Sequence, residues 1–353
     1  MGLWTTEDGG LKVTMDISTY CNAGCPQCHR TSTKGLGKSE WLPLVQWDID
    51  QFKKAIEPKD FQDIKRISFV GSWGDSIMNK DIFEIVKYIT YHECPVAIET
   101  NGSIRDESWW WDFGVMGGEL LSVRFDIDGI TQEMHSKYRR FTSLEKVLNN
   151  MNTISQTKAN VGSQTVVFKH NQDYVNEIVQ LCKDNGSAYH TNVLSDRFFN
   201  ENSKDGVFTF TNENGVEETL EEADRDVLSN PIVSGAASSV LESEIRCRWA
   251  QPRNEVLVMP NGDVVPCCYH GNAYWKYLQD GKEVALTKNP HFREFIDNRE
   301  EHNLFNKSFK EIINSKWYTE TLPKSFGANN PIPQCAWQCS TKIRKEHQLR
   351  EFL

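Results

Sequence analysis

Cys21, Cys25 and Cys28 stand in a Cys-x3-Cys-x2-Cys spacing on one short polar stretch, residues 18–30. Three thiolates so close in sequence can hold a metal ion or an iron–sulfur cluster. A four-iron four-sulfur cluster tied by only three cysteines leaves one iron without a protein ligand, free to take a small molecule and so to do chemistry as well as store electrons. Structural zinc takes four protein ligands; the next cysteine is Cys94, so zinc here would need His29 as its fourth. Disulfides are disfavoured: a chain with 10 cysteines, no secretory signal and no long apolar run reads as reduced, intracellular and cytoplasmic.

A second set lies far downstream. Cys247 precedes a short predicted strand, residues 255–259, the turn Pro260-Asn261-Gly262-Asp263, a return strand Val264-Val265, and then Cys267 and Cys268. An Asn-Gly pair between apolar runs is a strong hairpin signal, and the hairpin folds Cys267 back toward Cys247. Cys335 and Cys339 follow near the end, so four or five thiols from two distant segments can form a complete cage for zinc or an iron–sulfur cluster. Cys94 and Cys182 read as buried structural thiols.

The elements that must position these thiols alternate. Apolar runs at 11–17, 64–70, 95–100, 120–127, 163–168 and 188–194 are separated by helical patterns at 48–57, 82–89, 107–115, 142–154 and 174–185. Such alternation predicts parallel strands with right-handed crossovers, and six repeats give a partial (β/α)6 TIM-like barrel, an α/β fold. Residues 1–197 form this barrel, 198–245 a connector or substrate-covering insertion with an acidic helical segment near 219–227, and 246–353 a small hairpin-plus-helix domain with a tail. Chemistry in such barrels sits at the carboxyl ends of the strands. The cysteine loop, Gly71–Ser76, Asn101-Gly102, and Asp126 with Asp128 each follow a successive strand, so four polar clusters are expected on one rim.

The chain of 353 residues is 39% hydrophobic and 11% aromatic, enough for a sizeable core. Its formal net charge of -10, mixed in sign along the chain, supplies no basic stripe for phosphates, so nucleic acid is a disfavoured partner. No apolar run is long enough for a membrane span.

On Cys21, Cys25 and Cys28 and the loops that follow, residues 11–197 resemble the radical S-adenosylmethionine (SAM) superfamily. The resemblance implies a 4Fe-4S cluster on those three cysteines and SAM on its open iron. Gly71-Ser72-Trp73-Gly74-Asp75-Ser76 resembles the glycine-rich loop that meets the SAM amino group, with Asp75 in place of the usual Glu and Ser76 in place of Pro. Thr100-Asn101-Gly102 resembles the segment after strand three, and Asp126 sits in the strand-four segment that contacts the ribose. Arg139 resembles the arginine that pairs with the SAM carboxylate, a task suited to a planar fork, with Arg140 its competitor. Gln27 stands where the family often has an aromatic residue.

Cys247, Cys267, Cys335 and Cys339 resemble the ligands of the auxiliary-cluster domain called SPASM, or its one-cluster form, twitch, which implies a second 4Fe-4S cluster. Cys268 is left as an alternative ligand or a free thiol near the substrate. The implied activity is reductive cleavage of SAM and hydrogen abstraction from a peptide or protein, with an external one-electron reductant such as flavodoxin or ferredoxin. Few residues precede the first strand, so any leader recognition is expected to come from another protein or to be absent. The alternatives are a dehydrogenase of a small hydroxylated metabolite, and a non-catalytic iron–sulfur electron carrier.

Overall fold

The computed structural model describes residues 2–7, 10–195, 197–198, 202–224 and 244–340. The six expected strands form, as β1 (Leu11–Met15), β2 (Ile64–Phe69), β3 (Val96–Thr100), β4 (Leu121–Asp126), β5 (Asn160–Val167) and β6 (Tyr189–Leu194). Each pairs in parallel with the next. The crossovers carry α1 (Ile49–Ala55), α2 (Ile82–Tyr91), α3 (Glu107–Gly117), the short α4 (Gln132–Ser136), α5 (Leu144–Ser155) and α6 (Val175–Asp184). Helix α1 starts at Asp48, whose carboxylate accepts from the Gln51 backbone N–H while the Gln51 side chain accepts from the Asp48 N–H. Helix α2 buries Ile82, Ile85, Val86 and Ile89 against the sheet, each contributing about 1.5–3 kcal/mol.

The strands themselves alternate. Val13, Ile67, Ile98, Val123 and Phe125 are buried under the helices. Thr14, Ser68, Ala97, Glu99, Ser122 and Arg124 turn to the concave side and line a cavity of about 600 Å3. In a closed barrel the interior is filled by branched apolar side chains; here the hollow has a mixed lining, with Val96, Ile98, Leu120 and Leu257 beside the paired Arg124 and Glu99.

After residue 197 the chain builds a three-stranded antiparallel sheet, β7 (Ser203–Lys204), β8 (Val207–Thr211) and β9 (Glu217–Glu221). The acidic helix expected near 219–227 is therefore corrected: its first residues are strand β9, and 225–227 lie outside the described residues. Pairing with β8 wins over the helical reading because Phe208, Phe210 and Leu220 turn to one face and pack on Ala23, Cys25, Leu36 and Tyr138. This segment covers the cysteine loop, with Lys34 bridged to Thr211.

The hairpin strands are β10 (Glu255–Val258) and β11 (Val264–Val265), joined by a turn in which Gly262 has φ +89, the left-handed region that glycine adopts readily. Instead of standing apart, β10 lies parallel to β1, giving one eight-stranded sheet in the order β11-β10-β1-β2-β3-β4-β5-β6. The sheet thus runs across the boundary expected at 245/246. The rest of this segment is helical, α7 (Cys268–Asp280), α8 (Ala285–Lys288), α9 (Pro290–Asp297), α10 (Phe309–Ile313), α11 (Leu322–Ser325) and α12 (Pro333–Cys339). Among the described residues no helix is long and apolar enough to cross a membrane.

Candidate active site

The loop after β1 carries Cys21, Cys25 and Cys28, with Cys25 only 7% exposed. Arg30 holds the loop closed, donating to the carbonyls of Ala23 and Thr19, and the Cys28 N–H donates to the Cys25 carbonyl at 3.0 Å. The next two loops are stitched to it. The Asp75 N–H donates to the Tyr20 carbonyl at 2.7 Å, Asn22 donates to Ser103 Oγ at 2.8 Å, and Asn101 Nδ2 lies 3.7 Å from Cys21 Sγ. The Gly24 N–H donates to the Arg140 carbonyl, which brings in the segment after β4. The four polar clusters do share one rim.

Burial pushes the Cys21 thiol well up, with Asp75 adding to the shift and Arg30 opposing it. Burial likewise pushes Cys25 up to about 12, against the attraction of Arg139. Thiols so placed do not ionise on their own; a bound polynuclear cation deprotonates them outright. The donor set, three sulfurs on one loop and no disulfide, fits a cluster held from one side.

Beside it, Asp75 is buried and accepts from Thr100 Oγ1 (2.9 Å), the Asn101 N–H (2.9 Å) and Asn101 Nδ2 (2.7 Å). Burial raises its pKa to about 6, against these hydrogen bonds. Its carboxylate is thus consumed in fixing the glycine-rich loop. Gly74 passes under the cysteine loop so closely that a Cβ would lie 2.3 Å from the Ser18 carbonyl oxygen. Gly74→Ala is therefore expected to shift the two loops apart, lowering stability by about 1–3 kcal/mol and weakening SAM binding; thermal melts and SAM titration check both.

Arg139 sits between two carboxylates, donating from Nε to Asp128 Oδ2 at 2.6 Å and from Nη1 to Asp126 Oδ2 at 2.9 Å. Burial opposes its charge, but the two carboxylates hold its pKa well above the ordinary value. Asp126 Oδ1 is buried with no hydrogen-bond partner, a spare acceptor at the end of β4. Arg140 points elsewhere: it pairs with Glu218 on β9 and lies 5.6 Å from the Phe210 ring centre. Gln27 is buried and accepts from Ser195 Oγ at 2.6 Å, while its carbonyl accepts from Arg197, so it ties the cysteine loop to the end of β6.

Asp16, just past β1, was not visible as a special residue in the sequence. It accepts from the Ser72 N–H at 3.1 Å, while Oδ2 has no partner, and burial raises its pKa to about 7. The folded chain therefore keeps a proton that the unfolded chain releases above the ordinary carboxyl pKa, so stability falls as pH rises from about 4 to about 7. Asp16→Asn is expected to melt higher than the parent at pH 8, by up to about 4 kcal/mol of stability, and the gap is expected to close at pH 4; melts across that range check it.

The downstream cysteines also meet. Cys247, Cys267, Cys335 and Cys339 line one pocket; Cys335 and Cys339 stand four apart on one face of α12. Ile245 bridges to Ser340, and the Arg246 N–H donates to the Cys339 carbonyl, clamping the two distant segments. Contact with the Cys339 thiol and burial push Cys247 up, and burial does the same to Cys267 and Cys335, so this set too fits a bound cationic cluster. Cys267 stands at the N-cap position of α7 without a side-chain capping hydrogen bond, and the nearby backbone N–H groups of His270 and Tyr269 partly offset the effect of burial on its thiol. Cys268 does not line this pocket. It lines instead both the barrel hollow and a second cavity of about 820 Å3, which Cys28 and His29 also line. Cys94 and Cys182 are buried at 3% and 0% exposure, as expected of structural thiols.

Comparison with known proteins agrees with this geometry. The radical SAM superfamily model matches residues 15–182, and the SPASM model, an iron–sulfur cluster-binding domain, matches residues 247–340. The chain is 25% identical over 180 residues to an AdoMet-dependent heme synthase of Methanosarcina barkeri, covering 50% of this chain and 49% of that protein. It is 24% identical over 185 residues to the mycofactocin maturase MftC of Mycolicibacterium smegmatis, covering 51% and 44%. It thus spans about half the length of the curated relatives it matches. Among solved structures, anSMEcpe with bound AdoMet superposes with a TM-score of 0.58 at 14% identity, covering 97% of this chain and 96% of that one. Streptococcus suis SuiB gives 0.57 at 11% identity, covering 90% and 68%. With both family models in place over the two cysteine sets, the chain belongs to the radical SAM superfamily, enzymes that combine an iron–sulfur cluster with S-adenosylmethionine, and carries a SPASM-type domain for an auxiliary cluster.

Proposed function

We propose that this protein abstracts hydrogen from a peptide or protein substrate, with the auxiliary cluster accepting an electron or anchoring the substrate. The observation that carries the reading is the 820 Å3 cavity lined both by Cys28 of the first set and by Cys268, the sequence neighbour of Cys267. A substrate there lies against a ligand of the first cluster and one residue from a ligand of the second. When bound, the first cluster supplies the single electron that splits SAM into methionine and a 5'-deoxyadenosyl radical, which removes the hydrogen atom.

The chain's own residues do the holding. Cys21, Cys25 and Cys28 ligate the first cluster, and Cys247, Cys267, Cys335 and Cys339 the second. The Gly74-Asp75 backbone, ordered by Asn101, receives the SAM amino group. Arg139 receives the SAM carboxylate, and Asp126 Oδ1 accepts from a ribose hydroxyl. An external one-electron donor of the flavodoxin or ferredoxin type completes the cycle, and ten free thiols suit a reducing cytoplasm.

The peptide reading is supported by SuiB bound to its precursor peptide SuiA and by anSMEcpe bound to a peptide. The heme synthases favour a second reading, a small-molecule substrate. Anaerobic incubation of the reconstituted protein with SAM and candidate substrates, followed by mass analysis, tests the proposal. A mass change in a peptide together with 5'-deoxyadenosine is expected; conversion of small molecules alone overturns it.

A further inference from the structure

The cavity lined by Cys28 and Cys268 differs in charge from the chain as a whole. The protein carries a formal net charge of -10, with 49 Asp and Glu against 39 Lys and Arg. Yet none of the described residues that line this cavity is acidic, while Lys276 and Arg197 both do. Lys276 projects from the exposed side of α7 with its ammonium 5.8 Å from the Trp41 ring centre, and it forms no ion pair with any described residue. Arg197, which also lines the cavity, donates to the Gln27 carbonyl at 2.6 Å.

The wall also offers a neutral donor in need of an acceptor. Trp73 is 1% exposed and lines the cavity, and its indole N–H has no hydrogen-bond partner. An indole nitrogen can only donate, and a buried donor left unpaired is unfavourable until something accepts from it. Trp41 and Trp73 meet edge to face at 5.5 Å, which fixes both rings. Among the described residues, Lys276, an orphaned donor and the lack of any carboxylate make a site suited to an anion next to an apolar body.

We infer that the substrate is anchored in this cavity by a carboxylate, paired with Lys276 and accepting from Trp73, with an adjoining apolar part on Trp41. This rests on the reading of the cavity as the place where the substrate sits. The carboxylate could belong to an acidic side chain of a peptide or to a small organic acid, and the two are separable.

The test uses the full chain with both clusters reconstituted. Fluorescence anisotropy would follow a dansylated peptide of alternating glycine and aspartate, its asparagine counterpart, and displacement of the former by glutarate. The aspartate peptide is expected to bind at least about fivefold more tightly than the asparagine one, a preference that weakens with salt and disappears in Lys276→Glu, whose melting temperature and iron content stay those of the parent. Equal binding of the two peptides, or a preference that survives Lys276→Glu, overturns the carboxylate anchor and leaves the peptide reading standing. Glutarate competing at the same concentration as the peptide, with the Lys276 dependence intact, supports the anchor and overturns the peptide reading.

Discussion

Cys25→Ala is expected to reduce 5'-deoxyadenosine formation by about three orders of magnitude or more, to the uncatalysed background, while the chain stays folded. The side chain is small and packs with Ala23, Leu36 and Tyr138, so removing its sulfur disturbs the core little. The loop then offers two thiolates where three are needed, and iron content falls from about eight to about four per chain. Cys339→Ala is the mirror case. It also lowers iron to about four, but SAM cleavage persists while conversion of the substrate is lost. Iron and sulfide counts taken with deoxyadenosine assays on the same samples distinguish the two. Full SAM cleavage by Cys25→Ala would remove that residue from the ligand set.

Arg139→Ala is expected to lower stability by about 3–5 kcal/mol, because it strands Asp128, 0% exposed, and most of Asp126 without the cation between them. It also removes the group assigned to the SAM carboxylate. Arg139→Lys keeps the charge but cannot serve both carboxylates with a fixed fork, so it should recover much of the stability while SAM binding stays about tenfold weaker or more. Arg140→Ala is expected to cost at most about 1 kcal/mol, since its partner Glu218 is a third exposed, and to leave SAM affinity unchanged. Denaturant midpoints and SAM titrations on the three variants decide the assignment. Equal loss of SAM affinity in Arg139→Lys and Arg140→Ala would refute it.

Sequence made the local chemistry legible and left long-range placement dark. The cysteine loop, the rim clusters and the Asn261-Gly262 turn are visible because each depends on residues that are neighbours in the chain. Arg139 and Arg140 are adjacent and identical in type; what separates them is Glu218, 78 residues away, which no local pattern announces. The docking of β10 beside β1 is hidden for a related reason: Glu255–Val258 is buried throughout, and such a run does not say which neighbour it will have. The sheet at 203–221 left a signal that was outweighed, since Val207–Thr211 alternates apolar and polar in the manner of a strand, while the acidic residues beyond it favoured a helix. The polar positions of these strands were also written in the chain, as Glu99, Ser122 and Arg124 among residues that a parallel strand buried on both faces would keep apolar.

The pairing of β10 with β1 ties the SPASM segment to the heart of the sheet, and two tryptophans reinforce it, Trp4 donating to the Glu255 carbonyl at 2.9 Å and Trp47 to the Pro260 carbonyl at 2.7 Å. The two cysteine sets are consequently mounted on one hydrogen-bonded frame. Their separation is set by the register of that pairing, and cutting the chain before the hairpin would strip β1 to a bare apolar edge, an invitation to aggregate.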